Sequence, residues 1–465
     1  MSISGEVVTR FAPSPTGLLH LGNVRTALLN WLYACKRGGR FLLRFEDTDR
    51  DRSEIQYIEA TQNDLRWLGM GWDGNVLFQS AHHAGHLDAL QKLASEGHAY
   101  RCFCSEHQLN LDRKLATSRG LPPRYSGRCR GLPREEADDR AEAESFVWRL
   151  AVRADEGEII VRDVLRGDVH FARRDLDDPV VVRSDGTFTF MLPNAVDDAH
   201  DGVTHVLRGD DHLTNSAYQV WLLEQLGHAS PIYLHHGLLL AADGSKLSKR
   251  TGSASVAELR EKGLFPEALV QAMIRLGHPN MPEDAHTLHD LAANFTAEHL
   301  STSAVRWSAD EMWRWHTRIL HTAAPDQLVP LLRPYLSVQV DDGTLHAFAE
   351  LVRGNLEKVS DAAAYVRLLD VDAEPPEGAM QIIREAGEPF FEQALELWNA
   401  GDTEWKAWVG GVKQATGYQG KKLFMPLRAA LTGALHGPEM SHVVTFLGEA
   451  GVRLRLRDAI RRLLA

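Results

Sequence analysis

A chain of 465 residues, 44% hydrophobic and 25% charged, is long enough for three or four globular domains, each with its own core. A formal net charge of −12 argues against indiscriminate binding of nucleic acid, yet leaves room for a basic surface on one face. With no N-terminal apolar signal segment and no apolar run of about 18 residues, and with four cysteines that suit a reducing compartment, the expectation is a cytoplasmic protein, neither secreted nor membrane-spanning.

In chain order, residues 6–10 read as a strand, and Val24, Ala27, Leu28, Trp31 and Leu32 recur at helical spacing. Cys35 extends that apolar face and is expected in the core rather than as a reactive thiol. The loop between strand and helix is stiffened by Pro13 and Pro15 and lets its backbone approach a ligand at Gly17 and Gly22. His20, Gly22 and Asn23 fall at the helix N-terminus, where free N–H groups and the dipole favour anions, so a polyphosphate is the natural guest. No Walker A pattern occurs in the chain; His20 can instead donate to charge that develops during phosphoryl or nucleotidyl transfer.

Residues 40–46 read as a second buried strand, and Ser53 with Gln56 as a capping box that opens a helix running to Leu68. Strand, helix, strand, helix at this spacing implies a parallel, Rossmann-like sheet with its ligand at the carboxyl edge. Arg10, Ser14 and Glu46 lie at or just past strand ends, where Arg10 can grip a carboxylate and Glu46 an ammonium. Residues 69–74 match a dinucleotide fingerprint only formally, because they follow a helix; Gly69 reads as its C-cap. His82, His83 and His86 suggest a metal, but no carboxylate or cysteine stands nearby at ligand spacing, and a polar helix face is the expected reading.

Cys102 and Cys104 are followed by Tyr125 and Cys129, which places three of the four cysteines in one arrangement. Three thiolates and an oxygen ligand can complete tetrahedral zinc, the alternative being three reduced thiols in a zinc-free fold. A densely charged, exposed segment at 134–144, followed by strand-like runs at 145–152, 158–164 and 180–183, belongs to a mixed α/β insertion over 77–187. The interrupted domain resumes with residues 188–194 and 203–211, where Asp197 and Asp198 are read as groups that orient the pocket, and it ends in the glycine-bounded loop 244–252, which carries Lys246, Lys249 and Arg250 and can close over a triphosphate. Beyond it the periodicity is helical at 256–276, 310–320, 328–336, 343–351 and 446–464. Residues 452–457 alternate like a strand, but the stripe continuing through Leu456, Ile460 and Leu463 selects helix. Trp307, Trp313 and Trp315 are expected to pack in a core rather than stack on bases, and Lys421, Lys422 and Arg428 either touch RNA backbone or belong to a solvated loop.

At 20–23 and 246–250 the sequence resembles the HIGH and KMSKS signatures of class I aminoacyl-tRNA synthetases, and the wording of 10–17, 44–50, 208–211, 423–428 and 435–439 is similar to bacterial glutamyl-tRNA synthetases. The resemblance spans nearly the whole chain. It implies a Rossmann-like catalytic domain (1–76 and 188–250), an inserted acceptor-end-binding domain (77–187), a stem-contact segment (251–325) and an all-helical anticodon-binding region (326–465). It further implies glutamate held by Arg10, Ala12, Ser14, Glu46, Phe190, Asn194 and Arg208. ATP, with Mg²⁺, is assigned to His20, Gly22, Asn23, Lys246, Ser248, Lys249 and Arg250, with His20, Lys246 and Lys249 as the catalytic groups. Structural zinc on Cys102, Cys104, Tyr125 and Cys129 is the resemblance's suggestion too, although many glutamyl members carry a histidine where Gly131 stands, and Tyr125 is the substitute found in glutamyl-queuosine tRNA synthetases. Phe190 stands where a pocket tyrosine is common, removing one donor near the substrate. The expected partners are tRNA(Glu), L-glutamate and ATP, with a monomer expected and charging of tRNA(Gln) left open. The rival readings are a glutamyl-queuosine tRNA synthetase, which would lack the long helical C-terminal portion, and a catalytically idle tRNA-binding paralogue.

Overall fold

The structure, a computed structural model, describes residues 5–48, 54–154, 156–245, 247, 254–401 and 403–464. Its contacts divide the chain into two compact units, one of Met1–Leu259 with Val270–Ser308, the other of Arg260–Leu269 with Ala309–Ala465.

The first unit is α/β. Strand β1 (Val8–Phe11) is buried along its whole length, and β2 (Arg40–Phe45) along all but its first residue; strands covered on both faces are what an apolar run such as Phe-Leu-Leu specifies in a parallel sheet. Between them runs α1 (Leu21–Lys36), and beyond them come α2 (Ile55–Trp67) and β3 (Leu77–Phe78). The pairings β1 with β2 and β2 with β3 are parallel. After α3 (His83–Ser95), the strands β4 (Ala99–Cys102), β5 (Val147–Leu150) and β8 (Val180–Val182) form a separate antiparallel sheet, with α4 (Glu106–Ser118) and α5 (Arg134–Ala143) in the chain between β4 and β5.

Strands β6 (Glu158–Asp163) and β7 (Gly167–Ala172) form a hairpin, and β6 joins a second set of parallel strands in the order β6-β10-β9, with β9 at His205–Gly209 and β10 at Ile232–His236. Helices α6 (Met191–His200) and α7 (Leu213–Leu226) flank β9 in sequence. The two sets meet where β9 runs beside β1: the Val8 N–H donates to Thr204 Oγ1 at 2.8 Å and the Thr204 N–H to Val8 O at 3.0 Å. The succession β3-β2-β1 then β9-β10-β6 changes direction at this seam, the place where doubly wound folds bind their ligands. Both β3 and β6 come from within residues 77–187, so sheet membership is shared across that stretch. The short pair β11 (Leu239–Leu240) and β12 (Val305–Arg306) follows, with α8 (Val256–Glu261), α9 (Pro266–Arg275) and α10 (Leu288–Asn294) between them in sequence.

The second unit is helical, with α11 (Ala309–Thr322), α12 (Pro325–Leu332), α13 (Asp342–Val352), α14 (Glu377–Ala386), α15 (Glu388–Asn399), α16 (Trp405–Thr416), α17 (Lys421–Thr432) and α18 (Met440–Leu464). The alternating run 452–457 is helix within α18, which is broken at Gly448 with φ 64°. The expected α/β region and the all-helical C-terminal region are thus both present.

Several local expectations need correction. The helical run 256–276 is two helices, parted where Gly263 takes a left-handed φ of 75° and Pro266 opens α9. Helix α2 starts after Glu54, which makes no side-chain cap bond, while Ser53 lies outside the described residues. Gly69, at φ 77°, is the left-handed residue just past the α2 C-cap Leu68. Cys35 is exposed, not core: α1 is buried on nearly every side only as far as Ala34, and its last turn reaches solvent. Burial of the sulfur's surroundings, with Asp73 adding to it, holds that thiol above its ordinary pKa, which disfavours the nucleophilic thiolate. Trp307 and Trp315 are buried, and Trp313 is half-buried with Lys358 Nζ 5.2 Å from its ring centroid.

Candidate active site

The loop leaving β1 closes on the start of α1, and the residue that caps this helix is His20. Its Nδ1 accepts from the Gly22 N–H at 3.1 Å and the Asn23 N–H at 3.3 Å, satisfying two of the orphan donors of the first turn. A ring nitrogen that accepts carries no proton, so neutral His20 has its proton on Nε2. Desolvation presses the pKa of His20 below the ordinary histidine value, in keeping with a neutral ring whose Nε2–H is a donor.

At this helix start, on the carboxyl side of β1 and β9, lies a cavity of about 460 Å³. Arg10, Ala12, Glu46, Phe190, Asn194 and Arg208 line it together with His20, Gly22 and Asn23. Strand ends deliver Arg10, Glu46 and Arg208; the first turn of α6 delivers Asn194. Ser14 stands exposed on the loop, outside the described lining. Lys246, Ser248, Lys249 and Arg250 lie outside the described residues; Leu247, from the same stretch, lines the cavity.

The charges around the cavity are matched with two exceptions. Asp198 receives the fork of Arg10, from Nε at 3.0 Å and Nη2 at 3.2 Å, and also Arg44 Nη2 at 2.6 Å. Arg44 donates from Nη1 to Asp201 at 2.8 Å. Burial alone would raise the pKa of Asp198, but the two guanidiniums, Arg10 foremost, hold it below the ordinary carboxylate value. The first exception is Arg208. Its Nη2 donates to Ser216 Oγ at 2.5 Å and Gln219 Oε1 at 2.6 Å, while its buried Nε and Nη1 have no hydrogen-bond partner. Desolvation pulls its pKa down from 12.5 to about 10.

The second exception is Glu46, buried but open to the cavity, which accepts a hydrogen bond from Asn194 Nδ2 and has Arg44 only at 3.9 Å. Burial pushes its pKa up, with Arg44 opposing. Gln219 Nε2 donates in turn to Asn194 Oδ1 at 2.5 Å, so Asn194 is held between Glu46 and the partners of Arg208. An incompletely paired cation and an incompletely paired anion in one enclosure suit a small ligand that carries both a carboxylate and an ammonium. Sequence reasoning gave no role to Ser216 and Gln219, whose positions on α7 carry no local signal, and did not anticipate that Asp198 occupies the fork of Arg10.

Two other clusters lie in this unit. The Sγ atoms of Cys102, Cys104 and Cys129 are all within 4.8 Å of one another. Cys104 and Cys129 are 3.6 Å apart, and Tyr125 Oη stands 3.3 Å from Cys102 Sγ and 3.8 Å from Cys104 Sγ. The second cluster corrects the expectation that the histidines of 82–86 lack a carboxylate. Asp197, 111 residues beyond His86, accepts from both His82 and His86; His83 instead packs edge-on against Phe188.

The profile described as "tRNA synthetases class I (E and Q), catalytic domain" matches residues 6–314. The chain belongs to this family. In this synthetase a second profile, "Anticodon binding domain", matches residues 327–460. Its relatives include glutamate–tRNA ligase 2 of Nitrosococcus oceani, 41% identical over 97% of this chain and 98% of the relative, and glutamate–tRNA ligase 1 of Halorhodospira halophila, 42% identical over 97% of this chain and 96% of the relative. Among solved structures, a glutamate tRNA ligase of Elizabethkingia meningosepticum in complex with its amino acid aligns with a TM-score of 0.86 at 27% identity, over 99% of this chain and 100% of that one.

Proposed function

We propose that this synthetase is a glutamate–tRNA ligase. The observation that carries the reading to the level of the site is Arg208, a buried guanidinium with two unpaired nitrogens, lining the same cavity as the incompletely paired Glu46. Arg208 receives a carboxylate of L-glutamate, Glu46 and Asn194 hold the polar groups at the other end, and Arg10 tunes the pocket through Asp198. Phe190, without a hydroxyl, supplies shape only. Ala12 and Ser14 belong to the loop that closes the amino-acid side.

ATP, carrying Mg²⁺, lies along Gly22 and Asn23 at the α1 N-terminus, and Lys246, Ser248, Lys249 and Arg250 close over its phosphates. A glutamate carboxylate oxygen attacks the α-phosphorus in line; the bond to the pyrophosphate oxygen breaks, giving glutamyl-adenylate. His20, donating from Nε2–H, with Lys246 and Lys249, stabilises the charge that gathers on the phosphoryl oxygens, so catalysis is positioning and electrostatics without a covalent enzyme intermediate. A hydroxyl of the terminal ribose of tRNA(Glu) then attacks the acyl carbon and AMP leaves.

The domain roles follow the same reading: catalysis in 1–76 and 188–250, acceptor-end binding in 77–187, stem contact in 251–325 and anticodon binding in 326–465. Zinc fits the thiol cluster. Tetrahedral Zn–S bonds of about 2.3 Å put sulfurs about 3.8 Å apart, against 3.6 Å for Cys104 and Cys129, with Tyr125 Oη at a comparable distance from two of the thiols. Such an ion would be structural, tying β4 to the segment that carries Tyr125 and Cys129. Among the described residues no helix is long and apolar enough to cross a membrane, and the cytoplasm, where tRNA is charged, is the proposed location.

The test is glutamate-dependent exchange of pyrophosphate into ATP, with and without tRNA(Glu), alongside charging of tRNA(Glu) and tRNA(Gln) transcripts. Exchange that requires tRNA, with charging of tRNA(Glu), is expected. Exchange stimulated by a different amino acid, or none under either condition, overturns the reading.

A further inference from the structure

Away from the cavity, α3 and α6 bring together three groups that the ligase reaction does not use. His82 Nδ1 lies 2.8 Å and His86 Nε2 2.7 Å from the same oxygen, Asp197 Oδ1. His86 is in the first turn of α3, and His82 is the residue just before that helix, with φ −100° and ψ 17°, so the two rings reach Asp197 from consecutive turns of the chain. Asp197 and His86 are buried, whereas His82 is 28% exposed and forms the outer side. The other carboxylate oxygen of Asp197 accepts from Gln79 Nε2 at 2.8 Å, which orients the group.

His200, three residues beyond Asp197, stacks its ring on His82 with centroids 4.0 Å apart. A cavity of about 350 Å³, lined by His82, Asp88, His200 and His228 among others, opens beside the cluster and supplies a route for an ion. The backbone also makes room for this arrangement: a Cβ at Gly85 would fall on the His82 ring, so glycine there lets the imidazole lie inward.

Two neutral imidazoles aimed at a single carboxylate oxygen are each confined to one tautomer, with the proton on the nitrogen that faces Asp197. A divalent ion among the three atoms is bound by a lone pair from each. The protons move to His82 Nε2 and His86 Nδ1, so none need be released. An N₂O ligand set of two imidazoles and a carboxylate suits zinc and its neighbours in the transition series, and is poor for magnesium or calcium. We propose that His82, His86 and Asp197 form a binding site for a divalent transition-metal ion of the zinc type, its fourth position open to the cavity. Occupied, the site clips α3 to α6 one residue before Asp198, the carboxylate that holds Arg10 and Arg44.

The test uses the full-length protein stripped with a chelator and titrated with Co²⁺, which reports both stoichiometry and ligand type. His82→Ala removes a partly exposed ligand, and Gly85→Ala keeps all three ligand residues but displaces the His82 ring while favouring the helix; circular dichroism establishes that both fold. Both variants are expected to bind one Co²⁺ fewer per chain than the wild type, or to bind it at least about 100-fold more weakly. The lost spectral component is the weak d–d absorption of a nitrogen and oxygen site, with any sulfur-to-cobalt charge transfer from the thiol cluster unchanged. Equal stoichiometry and affinity in the wild type and both variants, or a loss confined to the sulfur band, overturns the proposal.

Discussion

Replacing Arg208 with methionine sets the stability of the empty pocket against its function. A guanidinium held at about 10 instead of its ordinary 12.5 is disfavoured in the charged form by about 3 kcal/mol. At pH 7 the group is charged in both folded and unfolded chains, so that penalty is fully present and weighs on the folded state. Arg208→Met removes it. The opposing losses are the two hydrogen bonds from Nη2 to Ser216 and Gln219, and imperfect packing of the new side chain, together about 2 kcal/mol. The ligand-free variant should therefore melt no lower than the wild type, and by this balance slightly higher. Glutamate should raise the wild-type melting temperature according to its occupancy and leave that of the variant unchanged, while kcat/KM for glutamate in exchange falls by at least about 100-fold, because the charge-assisted hydrogen bonds of the guanidinium are gone. Differential scanning fluorimetry with and without glutamate reads both effects. A variant that melts several degrees lower without ligand, and still responds to glutamate, would make Arg208 a structural anchor and refute its assignment to the substrate.

His20→Asn should keep a helix cap and His20→Ala should lose it, so only the alanine variant drops in stability, by about 1 kcal/mol. Both should lose roughly 100-fold in the rate of glutamate activation, because both lack the Nε2–H donor; equal activation by His20→Asn and the wild type would restrict His20 to capping. Asp198→Asn leaves Arg10 and Arg44 without their shared buried carboxylate and should cost about 3–5 kcal/mol at neutral pH in urea unfolding. Since the folded pKa of Asp198 is depressed, its contribution is present above the unfolded value of about 3.9 and lost as pH falls through the folded one; the gap between wild type and variant must narrow as pH is taken below about 3.9, and a constant gap would show that packing, not charge, is responsible. Lys249→Ala should lower exchange by about 1,000-fold and leave tRNA binding, measured by filter retention, nearly unchanged; equal loss of both would move Lys249 from catalysis to tRNA contact.

What could be read directly from the sequence was whatever is determined by near neighbours. Apolar runs covered on both faces gave β1 and β2 to within two residues; strand ends pointed to Arg10 and Glu46, and the resemblance added Arg208, which the parallel sheet brings to the same cavity because it presents its carboxyl ends on one side. What could not be read depends on distant parts of the chain. Asp198 is 188 residues from Arg10, and Gln219 is 25 from Asn194 on a helix whose pattern marks no position as special. The histidines of α3 were read as a polar face because their carboxylate arrives from α6. Helix α4, whose capping box of Ser105 and Gln108 is local, and the hairpin strand β7 went unread for a different reason: α4 has no buried residue and β7 no fully buried one, so neither shows the apolar periodicity by which helices and strands are recognised.

The same distinction bears on Arg10, which lines the cavity while giving two of its nitrogens to an internal carboxylate. A guanidinium at a strand end invites a carboxylate, but sequence cannot say whether that carboxylate belongs to the substrate or to the protein. Here Asp198 takes the fork of Arg10 and a contact from Arg44, and Asp201 takes another from Arg44. The pocket's cations are thereby matched up to Arg208, whose Nε and Nη1 remain unpaired in a buried setting. Unpaired donors in so dry an enclosure lower stability unless a ligand arrives, so selectivity for an extra carboxylate and the instability of the empty pocket have one physical origin. A neutral amide in place of that carboxylate would offer Arg208 weaker, uncharged acceptors, so the site should discriminate glutamate from glutamine chiefly through this one side chain.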